Sequence, residues 1–370
     1  MPSCLILGAG AVGLSLAWEL SRKGWTVRII DRGEPGQEAS WAGAGIIPPY
    51  HREHARHPLE QLKGLSCELH PSWSARLREE TGIDNGFNVC GGLYLARTAG
   101  EAASLAGWAT ASREEGVQVE RVTRTELAKL EPALADSPLL GQLVAAYWLP
   151  EEAQLRNPRH VQALVAAVRK VGVTIDANVE ARGFSLHNGR LQSVETSQGT
   201  LTADAYCVTA GAWTQALVAE LGLQASVLPI RGQIVLFHCD RRLVQRVVNE
   251  GSRYVVPRDD GRMLAGSTEE EVGFDKRTTP EAIEDITNFA RSLVPALATA
   301  PIEKTWAGFR PATFDGLPYL GALPGLSNAF IAAGHFRSGI YMSPGTAVVM
   351  AQLISGETPT LDLAPFRLGR

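Results

Sequence analysis

Residues 4–31 read CLILGAGAVGLSLAWELSRKGWTVRIID, and this stretch decides the fold. Cys4 to Leu7 is a short apolar run of strand character. Gly-Ala-Gly-Ala-Val-Gly follows at 8–13, and Leu14, Ala17, Trp18 and Leu20 then recur at helical spacing. Gly24 closes that helix, and Thr26 to Ile30 supplies a second, β-branched strand that ends on Asp31. Gly8, Gly10 and Gly13 hold the spacing G-x-G-x-x-G between strand and helix, with the acidic Asp31 placed 21 positions after Gly10. Gly8 permits the turn, Gly10 lets a pyrophosphate approach the backbone, and Gly13 lets the helix pack on the strand. The helix start offers unpaired N–H groups and a positive dipole end to phosphates. Asp31 is placed to accept from adenosine ribose hydroxyls, with Arg32 as the alternative contact, to a 2′-phosphate.

Working outward, the same kind of signal returns twice. A helix after Asn157-Pro158 runs to residue 170 and feeds a strand at Val173 to Ile175. Another strand, Ala205 to Thr209, runs into Ala210-Gly211. The chain closes with a strand at Ala329 to Ala333, a Gly-rich turn and a helix over roughly 343–355. Between these pieces lie strand-like segments at 93–96, 143–149, 226–238, 253–257 and 263–266, and a helix after Pro280. Residues 58–82 read as a helix that Pro71 breaks or kinks. The simplest architecture is an α/β chain with a discontinuous, Rossmann-like domain over 1–82, 151–220 and 307–370. A mostly antiparallel β domain, 83–150 and 221–306, is inserted into it to carry the substrate.

Size and composition agree. A chain of 370 residues, 45% of them hydrophobic and 20% charged, has material for two cores. A formal charge of −4 gives no case for nucleic acid or an anionic membrane surface. Five cysteines, at 4, 67, 90, 207 and 239, lack C-x-x-C spacing, which argues against a disulfide framework or zinc and for a reducing compartment. The N-terminus has neither the basic region nor the cleavage site of a signal peptide, and no apolar run is long enough for a spanning helix. A cytoplasmic protein without an integral membrane segment is expected, and a homo-oligomer is compatible with it.

Two further loops suggest how large the nucleotide is. Glu38 to Ile47 (EASWAGAGII) is poor in side chains, so its backbone can press against a flat ring. The turn Ala333 to Gly339 (AGHFRSG) lies between a strand and the last helix, where backbone N–H groups can stabilise negative charge. Two such turns at opposite ends of the chain suit an extended dinucleotide such as FAD.

Taken together, these motifs resemble the D-amino acid oxidase superfamily of flavoproteins, and most closely its glycine oxidase branch. The resemblance rests on GAGAVG with Asp31, EASWAGAGI (38–46), CGGLYLA (90–96), TAGAWT (209–214) and PIRGQ (229–233). It extends through RYVVPRDDGRMLAGST (253–268), WAGFRPATFDGLPYLG (306–321) and GHFRSGIYMSP (334–344). It implies FAD contacts at Ala11, Val12, Asp31, Arg32, Ala39, Ser40, Ala44, Gly45, Ile46 and Val179. It implies further contacts at His335, Phe336, Arg337, Ser338, Gly339, Ile340 and Tyr341. Tyr254, Arg310 and Arg337 match substrate-contacting positions. The sarcosine oxidase branch holds its flavin through a C-terminal cysteine and activates oxygen with a lysine. This chain has no cysteine after 239 and no lysine in Met263 to Gly266, so non-covalent FAD is implied. The acidic run Thr268 to Glu271 departs from the branch's pattern.

The implied reaction oxidises the carbon–nitrogen bond of a small amino acid, glycine first and then sarcosine or a small D-amino acid. Hydride leaves the α-carbon of the neutral amine, water hydrolyses the imine to a keto acid and ammonia or an amine, and molecular oxygen becomes hydrogen peroxide. Thiazole synthesis for thiamine is the pathway the resemblance suggests. Arg310, beside Phe309 and Pro311, has a fork of donors that a carboxylate would satisfy. The alternative for it is an internal salt bridge to a residue such as Asp315. Tyr254, read alone, is a half-buried strand aromatic. The rival enzyme is an FAD-dependent dehydrogenase for D-amino acids or proline that passes electrons to a quinone. Rivals of other classes are a flavoprotein acting on RNA, which the acidic balance disfavours, and a non-catalytic flavin scaffold. The histidines of His51 to His57 tempt toward a metal site, but Arg52 and Arg56 repel a cation. A solvated loop over the active site is expected there, and no metal.

Overall fold

The computed structural model describes residues 1–370. Its first strand, Ser3–Leu7, pairs in parallel with Thr26–Ile30 on one side and Ala205–Val208 on the other. Thr174–Asp176 and Ala329–Ala333 extend this sheet in parallel, and Tyr319–Ala322 closes it as an antiparallel sixth strand. The period-2 side-chain alternation of these strands feeds two different cores. Cys4, Ile6, Cys207, Phe330 and Ala332 enter the larger one, which also holds Trp18, Leu164 and Met350 from the helices. Leu5, Leu7, Tyr206, Val208 and Ile331 enter a second core on the opposite face. Covering both faces is why these strands read as continuous apolar runs.

The second sheet has eight strands. Val227–Phe237 and Ile302–Thr313 form its long antiparallel ribbon. Met263–Gly266, Arg253–Pro257, Val247–Glu250, Gly92–Ala96, Ala145–Leu149 and Glu120–Arg121 continue it in that order. All neighbours are antiparallel except Val247–Glu250 with Gly92–Ala96. One face packs on the helix Pro280–Leu293 through Val235, Val248, Val255 and Ala265. The other presents Ile234, Tyr254, Val256 and Leu264 toward the six-stranded unit. The mixed α/β architecture expected from the sequence is the observed one.

Three local readings differ. The helix Pro58–Thr81 passes through Pro71 unbroken. Pro71 lies on the exposed face, where the carbonyl it cannot bond can be hydrated. The last helix starts at Gly339, before the expected 343, and contains Pro344. The carbonyl Pro344 leaves unpaired, that of Ile340, accepts instead from the Ser343 hydroxyl at 2.9 Å. A three-stranded antiparallel sheet, Ala181–His187, Arg190–Thr196 and Gly199–Leu201, has no counterpart among the strands read from sequence.

Candidate active site

A cavity of about 480 Å³ lies between the two large sheets. Gly10, Ala11 and Val12 reach it from the first turn, and Ala39, Ser40, Ala44, Gly45 and Ile46 from the small-residue loop. Tyr254 and Arg310 face it from the eight-stranded sheet, and the whole run His335 to Tyr341 lines it. Residues more than 300 positions apart thus share one chamber.

Two helix starts open into it. The helix Ala11–Arg22 has Gly10 as N-cap, with no side-chain cap and no acidic residue in its first turn. Its Ala11 N–H donates to the Ser40 hydroxyl at 2.9 Å. The helix Gly339–Ile354 likewise begins without a side-chain cap or a first-turn acid. Uncapped, positively polarised helix starts on a cavity wall fit anionic parts of a ligand. Gly8 and Gly13 sit behind that wall. A Cβ on Gly8 would lie 2.5 Å from the Thr209 carbonyl oxygen, and one on Gly13 would lie 2.1 Å from that of Gly8. Only glycine allows this closeness of strand, turn and helix, and Gly8 also has φ +121°.

Asp31 lies outside the cavity wall. Its carboxylate accepts from Ala9 N–H at 2.7 Å and Gly33 N–H at 2.9 Å. Burial pushes its pKa up, and these two backbone donors act in the opposite direction. Arg32 rests on the Trp213 ring, 3.7 Å from its centroid. Val179 is buried in the second core, and its N–H donates to the Asp31 carbonyl. The first-turn loop, the strand end and Val179 therefore form one hydrogen-bonded unit.

The Ala333–Gly339 turn is pinned by His335, whose Nε2 lies 3.0 Å from the Thr346 hydroxyl. Burial lowers the His335 pKa to about 4, so the ring is neutral near pH 7. The next residue, Phe336, has φ +47°.

At the other end of the cavity, glycines make room for two side chains. Tyr254 lies over Gly266, its cross-strand partner, where a Cβ would come within 2.9 Å of the hydroxyl. Arg310 lies over Gly232, where a Cβ would come within 2.3 Å of the guanidinium. Arg310 Nη1 donates to the Thr268 carbonyl at 2.8 Å, and Nη2 to the Ser267 hydroxyl at 2.7 Å. Both acceptors are neutral. Asp315, the internal partner considered from sequence, is paired with Arg370 instead. Burial lowers the Arg310 pKa, the mark of a cation short of compensating charge. Arg337 pairs with Glu269 at 2.9 Å.

Sequence reasoning did not single out Tyr50, Lys63, Tyr94 and Asn249, which also line the cavity. Lys63 donates to the Tyr50 hydroxyl at 3.1 Å. Asn249 is the cross-strand partner of Tyr254 and of Tyr94, a registration that only the sheet order reveals. Behind them Glu152 is fully buried, accepting from the Tyr94 hydroxyl and, at 3.4 Å, from Asn249. Burial raises its pKa to about 7. The His51–His57 segment holds no metal-binding cluster. His51 pairs with Glu151, and His57 caps the helix Pro58–Thr81 in a capping box with Glu60.

Residues 3–353 match the family of FAD dependent oxidoreductases known as DAO. The chain belongs to that family, and FAD is its cofactor. It is 35% identical to the glycine oxidase of Pseudomonas aeruginosa over 98% of this chain and 97% of that one. The crystal structure of glycine oxidase from Geobacillus kaustophilus superposes with a TM-score of 0.93 at 33% identity, covering 100% of this chain and 99% of that one. Iminodiacetate oxidase from a Chelativorans species follows with a TM-score of 0.86 at 30% identity, covering 99% and 98%. The likeness to an L-proline dehydrogenase of P. horikoshii, at 23% identity, is one of fold. The resemblance read from the motifs is therefore borne out, and the protein is an FAD-dependent amino acid oxidase by family. No helix is long and apolar enough to cross a membrane.

Proposed function

We propose that the protein oxidises glycine, and with it sarcosine or small D-amino acids, to an imine that water hydrolyses, while oxygen is reduced to hydrogen peroxide. One observation carries the reading. Arg310 is a desolvated guanidinium on the wall of the cofactor cavity, hydrogen-bonded to the neutral Thr268 carbonyl and Ser267 hydroxyl and without a carboxylate of its own. A substrate carboxylate supplies the missing charge through two parallel hydrogen bonds. Tyr254, beside it on the same sheet face, adds a hydroxyl to the substrate's polar end.

Bound FAD supplies the two-electron acceptor. The uncapped start of the helix Ala11–Arg22 and Ser40 would hold its pyrophosphate, Asp31 its ribose, and the His335–Tyr341 turn the ring system. No cysteine follows residue 239, which favours non-covalent attachment. Among Tyr254, Arg310 and Arg337 there is no good proton acceptor near neutral pH, so the substrate must enter the reaction with its amine already neutral.

The test is purified holoenzyme offered glycine, sarcosine, D-alanine and both prolines, with peroxide measured in air and dye reduction measured without oxygen. Turnover of glycine with peroxide release is expected. Reduction by proline but not glycine would overturn the substrate, and dye reduction without peroxide would overturn oxygen as the acceptor.

A further inference from the structure

Two arginines line the same cavity, and only one of them has a carboxylate partner within the protein. Arg310 has neutral acceptors, whereas Arg337 Nη1 lies 2.9 Å from Glu269 Oε1. Glu269 directly follows Ser267 and Thr268, the two residues that hold Arg310. Its charge also reaches Arg310, acting to raise that guanidinium's pKa while Arg337 acts to lower it. The other acids of the run do different work. Glu270 grips the buried Arg231, Gln233 and Thr268, which hold its carboxyl down at about 2. Glu271 is exposed and forms no ion pair. The lining itself contains no carboxylate. Lys63, its remaining cation beside the two arginines, stands on the helix Pro58–Thr81 against Tyr50.

We propose that Glu269 is a specificity-determining residue, a built-in counter-ion that occupies Arg337, leaves Arg310 as the free anchor beside it, and restricts this end of the site to substrates with one carboxylate. The inference rests on the cavity being the amino acid site and deepens that reading by naming the substrate class. A second carboxylate could reach Arg337 only by displacing Glu269, and otherwise would meet a like charge. Water reaches both partners, whose side chains are 43% and 36% exposed, so the exclusion is moderate in size and weakens with salt. This gives the departure of Thr268–Glu271 from the glycine oxidase pattern a role: the chain places a negative charge next to a positive one that would otherwise be free.

The experiment titrates FAD-loaded protein with glycolate, a monoanion, and malonate, a dianion, following the flavin absorbance without turnover. Wild type, Glu269→Gln, Glu269→Ser, Arg337→Met and the double variant Glu269→Gln/Arg337→Met are compared at low and high salt. Either Glu269 variant should raise malonate affinity relative to glycolate by roughly two- to fivefold, the scale of one partly screened charge contact. The gain should shrink at high salt and vanish in the Arg337→Met background. An unchanged malonate-to-glycolate ratio, or a gain that survives the loss of Arg337, would overturn the role of Glu269. A holoenzyme that binds glycolate but does not oxidise glycine would refute the proposed substrate and leave this inference standing. One that binds neither ligand would overturn both.

Discussion

Arg310 is hydrogen-bonded by neutral groups, and Glu269, the carboxylate whose charge reaches it, is paired with Arg337. Removing one side of a desolvated charge pair costs roughly 2–5 kcal/mol, about 30- to several-thousand-fold in affinity. Arg310→Ala should therefore weaken glycolate binding by at least tens of fold, with Arg310→Lys restoring part of it. The flavin spectrum of the unliganded protein should stay nearly unchanged. Tight glycolate binding by Arg310→Ala would move the anchor elsewhere, and Arg337 would be the first place to look. Glu152 presents the opposite problem, an acid buried without a cation. Its pKa is raised from 4.5 to about 7 by burial, against the hydrogen bonds of Tyr94 and Asn249. A carboxyl that binds its proton more tightly when folded adds stability that is complete below about pH 4.5 and lost as pH rises through 7. The size is roughly 3 kcal/mol between those limits. Glu152→Gln should remove this component, so its melting temperature relative to wild type should be higher at pH 8 than at pH 5. The same difference at both pH values would mean that folding does not shift the Glu152 pKa.

The elements place these side chains by what they leave out. Tyr254 lies over its cross-strand partner Gly266, and Arg310 lies over Gly232, two residues along the neighbouring strand from its own partner Ile230. At Gly232 a Cβ would meet the far end of a flexible side chain, which can move aside without disturbing the sheet. Gly232→Ala should thus keep its fold and its FAD but lose glycolate affinity nearly as far as Arg310→Ala does. Binding at wild-type strength would show that the guanidinium need not lie where it does. None of this is legible from sequence spacing. PIRGQ and RYVVP read as strands, yet their register, and with it the company of Tyr254, Asn249 and Tyr94, is fixed only when the eight strands assemble. What was legible is the local and periodic part. The strand–turn–helix at 3–22, the helices after Pro158 and Pro280, and the strands at 253–257, 263–266 and 329–333 follow from capping, turn residues and side-chain period. The helices continue through Pro71 and Pro344 because a helix tolerates proline where the lost bond can be hydrated or is replaced, as the Ser343 hydroxyl does for Ile340. The hairpins of 181–201 carry polar, largely exposed strands that lack a clean apolar alternation.

At the scale of the whole molecule, the cavity belongs to no single stretch of chain. Its walls come from residues 10–50, from Lys63, Asn157, Thr209 and Gly211, from the eight-stranded sheet and from 332–341. Contacts from residues 269–276 reach the opposite wall: Glu269 pairs with Arg337, Lys276 with Glu38, and Phe274 stacks on Trp213 at 5.2 Å between ring centroids. A dinucleotide that touches both helix starts and the Ala333–Gly339 turn would bind the folded arrangement and have no equivalent in the unfolded chain. It must then stabilise the fold by mass action, about 2.7 kcal/mol when free FAD stands at 100 times its dissociation constant. Stripped protein should accordingly melt at a lower temperature than holoenzyme, and its melting temperature should climb with the logarithm of added FAD. Asp31→Ala should shift that dependence to higher FAD concentration, since it also strips Ala9 and Gly33 N–H of their acceptor. Acid precipitation should release yellow FAD into the supernatant, because the holding contacts are hydrogen bonds and helix dipoles that unfolding abolishes. Colour that stays with the pellet would demonstrate a covalent link, which none of the five cysteines, all at or before residue 239, is expected to provide. A melting temperature indifferent to FAD would mean that the cofactor does not bridge the two halves, and the assignment of both helix starts to it would fail together.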